Sequence, residues 1–497
     1  MLADNLSVKT LGDYLRNSGL LTDHCYIDGQ WRKAKTKSVL KVHNPCDGTV
    51  LGTVPDLGVS DVIGAVDAAQ TALGTWAQEL PKVRAQKLRL WGELMLAERE
   101  DLALIMTLEQ GKPLSEALGE IDYAAGFLDW FASEAERLNI EGITPHLKGT
   151  EMRVARVPVG VSALITPWNF PSAMITRKAG AALAVGCTVI VKPAPETPFS
   201  ALALAVLAET SGIPAGVFNV VTGDAPVLAK ALCDDVRVRA ISFTGSTPVG
   251  RQLLEWSAPT VKRVSLELGG HAPFIVFGDA DIDRAVQDAV MAKFLTSGQD
   301  CLAANRIYVH ETIYENFCQR FAEATKRLKV GNGLIPEIDI GPLMHQGAID
   351  KCLQQVEDAK NKGARVLVGG GQHDLGGLFF EPTVIADITA DMFISCEETF
   401  GPVAAIAHFS SEDQVIRMAN DTEYGLAAYV YARDGARAAR VASRLEFGMV
   451  AVNCVKMTGA PVPFGGMKQS GLGREGGRHG LDAFSDIKYI CTSTETN

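Results

Sequence analysis

The chain has 497 residues, 47% of them hydrophobic and 21% charged, and 58 acidic against 47 basic residues give a net charge of −11. That composition excludes a disordered or collagen-like chain, and the lack of any dense Lys/Arg run argues against nucleic acid as a partner. At about 100–200 residues per domain the length suggests two to four units, with enough chain to build cores that need no disulfides.

Residues 1–19 mix both charge signs without an apolar core, so no secretory signal is expected. The longest uncharged stretch, 157–176, is interrupted by Pro158, Pro167 and Pro171 beside Asn169, which excludes a membrane span. Apolar residues at helical spacing predict helices near 58–78, 83–110 and 114–137. From Ser162 short β-branched runs alternate with helical patterns: SALIT, helix 172–186, TVIVK, helix 198–212, FNVVTG, helix 225–234 and AISFTG. A second set runs through HAPFIVF, helix 281–295, RIYVH, helix 312–328, ARVLVGG, TVIAD and AYVYAR. Strand and helix in alternation imply parallel sheets, hence two successive α/β units divided near Leu268 to Gly270. A Gly-rich tail at 463–480 precedes a strand at 485–493 with no local partner. Paired with the β-rich stretch near 140–157, it would form an arm suited to dimerisation.

Ten scattered cysteines without a C-x-x-C pair point to a reducing, cytoplasmic setting, and nine histidines without metal spacing predict no metal. Five places carry possible chemistry. Cys301, in SGQDC, is either a buried structural thiol or a nucleophile exposed by the turn ahead of it. Glu267 ends a β-like run before two glycines; it is either a solvated strand end or a catalytic carboxylate beside close-packed backbone. Thr166–Pro171 (TPWNFP) is rigid, so the Asn169 amide could donate to a developing oxyanion, although a plain strand-to-helix loop reads the same way. Phe243–Gly250 (FTGSTPVG) joins a strand to a helix where phosphate can bind, yet it is neither G-x-G-x-x-G nor a P-loop. Lys192 ends TVIVK, where it could bond ribose hydroxyls or be merely solvated.

The stretches ITPWNFP, VKPAPETP, SFTGST, SLELGG, GQDC, EETFGP and PFGGMKQSGLGREGG together resemble the aldehyde dehydrogenase superfamily across nearly the whole chain. MTLEQGKPLSEALGEI, SAMITRKAG and PAGVFNVVTG are similar to its succinate- and glutarate-semialdehyde branch. The resemblance implies an α/β fold with a Rossmann-like cofactor-binding domain at 1–268, a catalytic domain at 269–465 and a C-terminal segment at 466–497. Part of that segment would join 140–157 in a small oligomerisation arm, giving a homodimer or homotetramer. It implies oxidation of an aldehyde, most simply a carboxylate-bearing semialdehyde, with NADP or NAD, and with a broad aliphatic or aromatic aldehyde as the alternative substrate.

By the same resemblance Cys301 attacks the aldehyde, Asn169 stabilises the oxyanion, Glu267 activates water, and Lys178 and Glu475 relay protons. The cofactor would lie against Thr166, Pro167 and Trp168, against Lys192, Ala194, Pro195 and Glu196, against Gly245, Ser246 and Leu268, and against Glu398 and Phe400. The substrate pocket would comprise Arg177, Phe170, Leu295, Thr458 and Phe464. Several positions depart from the family pattern. Leu295 replaces a second arginine, leaving Arg177 as half of a carboxylate clamp. Asp300 replaces a common threonine and should raise the neighbouring thiol pKa. Ala303 removes a second cysteine and so a local disulfide switch. Pro195 stands where NAD-preferring members often carry Glu, with Glu196 displaced by one, so NADP should be tolerated.

Overall fold

The computed structural model describes residues 11–494, so the first ten residues of the N-terminal stretch read above lie outside it. Within the described residues no helix is long and apolar enough to cross a membrane.

An eight-stranded sheet has the spatial order Gly471–Leu472, Arg263–Glu267, Val238–Thr244, Val161–Ile165, Thr188–Lys192, Phe218–Val220, Cys25–Ile27 and Gln30–Arg32. The five strands from Arg263–Glu267 to Phe218–Val220 are parallel. Val161–Ile165 and Thr188–Lys192 are buried at every position, as expected of strands covered on both faces. The chain first builds outward from Val161–Ile165 through Thr188–Lys192, then returns to place Val238–Thr244 on its other side. That reversal opens a crevice beyond the ends of Val161–Ile165 and Val238–Thr244, where α/β sheets bind ligands. Helices Leu114–Ala135, Pro81–Ala97 and Ala173–Val185 pack together against this sheet, with Trp91, Phe127, Phe131 and Phe218 in one core. At about 1.5–3 kcal/mol for each large apolar side chain buried, such a layer fixes the helix carrying Arg177 and Lys178 firmly.

A seven-stranded sheet follows, ordered Arg365–Val368, Thr383–Ala386, Val403–Phe409, Ala304–His310, Ala272–Val276, Ala427–Tyr431 and Met449–Val452. Only the edge strand Arg365–Val368 runs antiparallel. Strands on either side of 268–270 thus enter different sheets, except that Gly471–Leu472 returns to the first, beside Arg263–Glu267. Ser485–Ser493 pairs antiparallel with Thr150–Pro158, which also pairs with Glu141–Ile143. The terminal strand therefore finds its partner within the chain.

The structure also departs from the sequence-based expectations. The helix predicted over 83–110 breaks at Glu98 into Pro81–Ala97 and Arg99–Gln110. The strand Val403–Phe409 (VAAIAHF) and the helix Gln346–Asn361 were not anticipated. Three alanines dilute the β-branched signal of that strand, and its burial in the sheet overrides propensity.

Candidate active site

Cys301 follows the helix Ile282–Phe294 and the turn Leu295–Gly298, in which Thr296 (φ 51°) and Ser297 (φ 57°) adopt left-handed backbone. Non-glycine residues resist that conformation, so something must hold it. The Glu116 carboxylate does: it accepts from the Thr296 N–H at 2.9 Å and its hydroxyl at 3.0 Å. A Cβ on Gly270 would lie 2.2 Å from the Cys301 carbonyl oxygen, so glycine is required where the end of the Glu267 segment passes Cys301. Half-buried Cys301 lines two cavities, one on each side. Its thiol is pushed well above the usual value, first by burial and then by Asp300 and Glu398, with Arg177 opposing. Asp300 does act as the sequence suggested, but burial is the larger cause.

The first cavity, about 310 Å³, lies at the crevice of the first sheet and is lined by Pro167, Trp168, Gly245, Ser246, Leu268, Glu398 and Phe400 among others. Trp168 meets Phe400 edge-on at 5.6 Å and His345 at 6.2 Å. Glu398 accepts from the Gly270 N–H at 2.9 Å, and burial raises its carboxyl to about 7. These residues fit a dinucleotide. Ser246 opens the helix Thr247–Ser257, the buried Thr244 hydroxyl faces the cavity without a partner, and a Cβ on Gly245 would strike the Phe243 ring at 2.4 Å. Lys192, Ala194, Pro195 and Glu196, at and beyond the neighbouring strand end, do not line this cavity, and neither does Thr166, which is buried. Lys192 is buried rather than solvated, which lowers its ammonium to about 8, with Glu196 the main opposing charge. Pro195 is exposed and Glu196 half-buried.

The second cavity, about 460 Å³, is lined by Phe170, Arg177, Leu295, Asp300, Thr458 and Phe464, and also by Lys112, Glu116, Tyr123 and Lys456. Arg177 is 1% exposed. Its Nε donates to Glu475 at 2.6 Å, its Nη2 to the Met174 sulfur at 2.9 Å, and its guanidinium stacks 4.0 Å over Phe464, leaving Nη1 buried without a partner. Leu295 is 42% exposed at the rim.

Glu475 also pairs with Lys178, and all three ionic groups are buried. Burial pushes the Glu475 carboxyl up, but Lys178 and Arg177 together outweigh it and hold the group below its usual value. Burial lowers Lys178. Glu267 is different: both carboxylate oxygens are buried without partners, and burial followed by Glu475 raises it well above the usual range. It lines neither cavity, but its charge is felt at Cys301. The Asn169 amide donates to the Gln299 carbonyl at 3.0 Å, and the Cys301 N–H has no acceptor among the described residues.

Sequence reasoning passed over Lys112, Glu116, Glu120, Lys351 and Lys456. Lys112 bonds Glu120 at 2.6 Å and the Asn169 carbonyl at 2.7 Å, while Glu120 accepts the Ser172 and Ala173 N–H groups at 3.0 and 3.1 Å. One buried pair thus fixes the TPWNFP loop to the following helix. The signal was present in EQGKPLSEALGE, where four charges interrupt a helical face that burial makes inward-facing.

Comparison with known proteins agrees with this geometry. Residues 31–490 match the aldehyde dehydrogenase family. The non-phosphorylating aspartate-semialdehyde dehydrogenase of Halomonas elongata is 54% identical over 97% of this chain and 98% of its own length. The NADP(+) succinate-semialdehyde dehydrogenase GabD of Escherichia coli is 50% identical over 96% and 99%. A crystal structure of aldehyde dehydrogenase from Brucella melitensis superposes with TM-score 0.96 at 51% identity, covering 97% of this chain and all of that one. A half-buried cysteine between two cavities, in a chain whose residues 31–490 match the family model, accords with the finding that this protein is a member of the aldehyde dehydrogenase family.

Proposed function

We propose that the chain oxidises a carboxylate-bearing semialdehyde to the acid, using NADP or NAD. The observation that carries this reading is the unpartnered Nη1 of buried Arg177 in the cavity that Cys301 shares. A buried guanidinium nitrogen without an acceptor calls for an anion, and a substrate carboxylate supplies one. The two relatives above are named for aspartate semialdehyde and succinate semialdehyde, and both compounds carry a carboxylate.

In the reaction the Cys301 thiol gives up its proton to water in the cavities it lines, its sulfur forms a bond to the aldehyde carbon, and the carbonyl electron pair moves to oxygen. The Asn169 Nδ2–H and the Cys301 backbone N–H receive that oxyanion. A dinucleotide held in the first cavity would supply the hydride acceptor. Glu267, whose carboxylate burial makes more basic than usual, deprotonates the water that breaks the C–S bond of the resulting thioester. The Lys178–Glu475 pair carries that proton away, while Arg177 holds the substrate carboxylate. Asn169 and Glu267 come from the first sheet's side, which we read as the cofactor-binding domain, and Cys301 from the second, the catalytic domain. Lys192, Ser246 and Glu398 would hold the dinucleotide. Exposed Pro195 leaves room for a 2′-phosphate, so NADP is accepted.

Replacing Arg177 by Ala tests the reading. KM for succinate semialdehyde should rise about tenfold or more relative to KM for hexanal, since only one of the two has a carboxylate to lose. Equal changes for both aldehydes would remove the carboxylate role.

A further inference from the structure

Building on the semialdehyde reading, we infer that the substrate carries an ammonium group between its aldehyde and its carboxylate, and that Asp300 recognises that ammonium. Asp300 immediately precedes Cys301, lines the second cavity and enters no ion pair among the described residues; its carboxylate accepts from the Leu302 N–H at 3.0 Å and lies within hydrogen-bond reach of the Cys301 thiol. Glu116 shares the same wall and is likewise in no ion pair, its carboxylate accepting only from Thr296. The cation nearest both, Lys112, is already engaged by Glu120 at 2.6 Å and by the Asn169 carbonyl at 2.7 Å. Three carboxyl groups therefore surround one lysine beside Cys301. Burial raises the carboxyls of Asp300 and Glu116, the latter to about 7 with Asp300 adding to the effect, as expected where a further cation is lacking.

The same cavity holds an independent indication of a ligand. Arg177 Nη1 is buried and unpartnered, and Lys456 stands exposed at the rim. A cavity with one unpartnered guanidinium nitrogen and two carboxyls that enter no ion pair among the described residues complements a molecule bearing both charges. A neutral aldehyde would satisfy neither group. A diacid semialdehyde would satisfy Arg177 and leave Asp300 facing a chain with nothing to donate. Because Asp300 is the residue next to Cys301, the ammonium belongs near the aldehyde carbon, and the carboxylate lies farther along, toward Arg177.

The test is kcat/KM for L-aspartate 4-semialdehyde and for succinate semialdehyde, which differ by the amino group alone, in the unaltered enzyme and in Asp300→Asn. The unaltered enzyme should favour the amino compound about tenfold or more, and Asp300→Asn should cut that ratio at least about tenfold, mainly through KM. Asp300→Glu, which keeps the charge, should restore part of the preference. Product inhibition of the unaltered enzyme gives a readout free of any folding effect: L-aspartate should inhibit more strongly than succinate. Turnover of succinate semialdehyde with a ratio that Asp300→Asn does not move, or equal inhibition by both acids, would overturn the ammonium site and leave the semialdehyde reading intact. Turnover of neither semialdehyde would overturn both.

Discussion

The turn that carries Cys301 is held by Glu116, and cutting that support should disable the enzyme without unfolding it. Two non-glycine residues in left-handed backbone, Thr296 and Ser297, cost about 1–2 kcal/mol each, so about 2–4 kcal/mol together. Against this, the two hydrogen bonds from Thr296 to a carboxylate contribute about 1.5–3 kcal/mol each. The opposing amounts are similar, so Glu116→Ala leaves the strain uncompensated and the turn relaxes away from its present geometry. A misplacement that adds about 2 kcal/mol to the barrier lowers kcat about 30-fold. The assay is steady-state kcat with a semialdehyde, together with the rate of Cys301 alkylation and thermal unfolding of the same variant. Adding Thr296→Gly to Glu116→Ala should recover part of the loss, because glycine adopts the left-handed region freely. Wild-type kcat in the single variant, or no recovery in the double variant, would refute the strain argument.

Three further outcomes follow from the same geometry. Because burial and Asp300 raise the Cys301 thiol, its alkylation should need a more alkaline pH than that of an exposed free thiol. Asp300→Thr should move that profile to lower pH, and identical profiles would contradict the assigned cause. Lys192 titrates near 8, below the free lysine value, so it is charged below that pH and neutral above it. KM for NADP should therefore rise as pH climbs through about 8 and lose that rise in Lys192→Met; a flat KM in the unaltered enzyme would speak against Lys192 as a cofactor contact. The three-stranded sheet exposes Ile487 (71%) and Tyr489 (52%), as expected of an oligomerisation arm. Sedimentation should show a dimer or tetramer that Ile487→Lys weakens, and a monomer in the unaltered protein at micromolar concentration would rule the arm out.

The sequence was most legible where period and burial agree. TVIVK and SALIT read as buried strands because all but the end residues Lys192 and Ser162 are apolar or β-branched, and both are central strands of the first sheet. VAAIAHF was missed because alanine suits a buried strand or a helix equally, and only the sheet decides between them. Within the site, Cys301, Asn169 and Glu398 could be named from short motifs, since their positions depend on local turns. The ties of Lys112 to Asn169 and of Glu116 to Thr296 span 57 and 180 residues. No local pattern encodes such a tie. Arg177 was legible as a cation but not as a guanidinium divided between Glu475 and the cavity, because that division depends on the return of the C-terminal tail beside Glu267.

The central claim is that Cys301 carries the acyl group and Glu267 releases it. Its most direct test is intact-protein mass spectrometry of Glu267→Gln mixed with succinate semialdehyde and NADP. The account predicts a burst of NADPH followed by an adduct of the succinyl mass on the peptide containing Cys301. Steady turnover at the unaltered rate with no adduct, or an adduct on another cysteine, would contradict it.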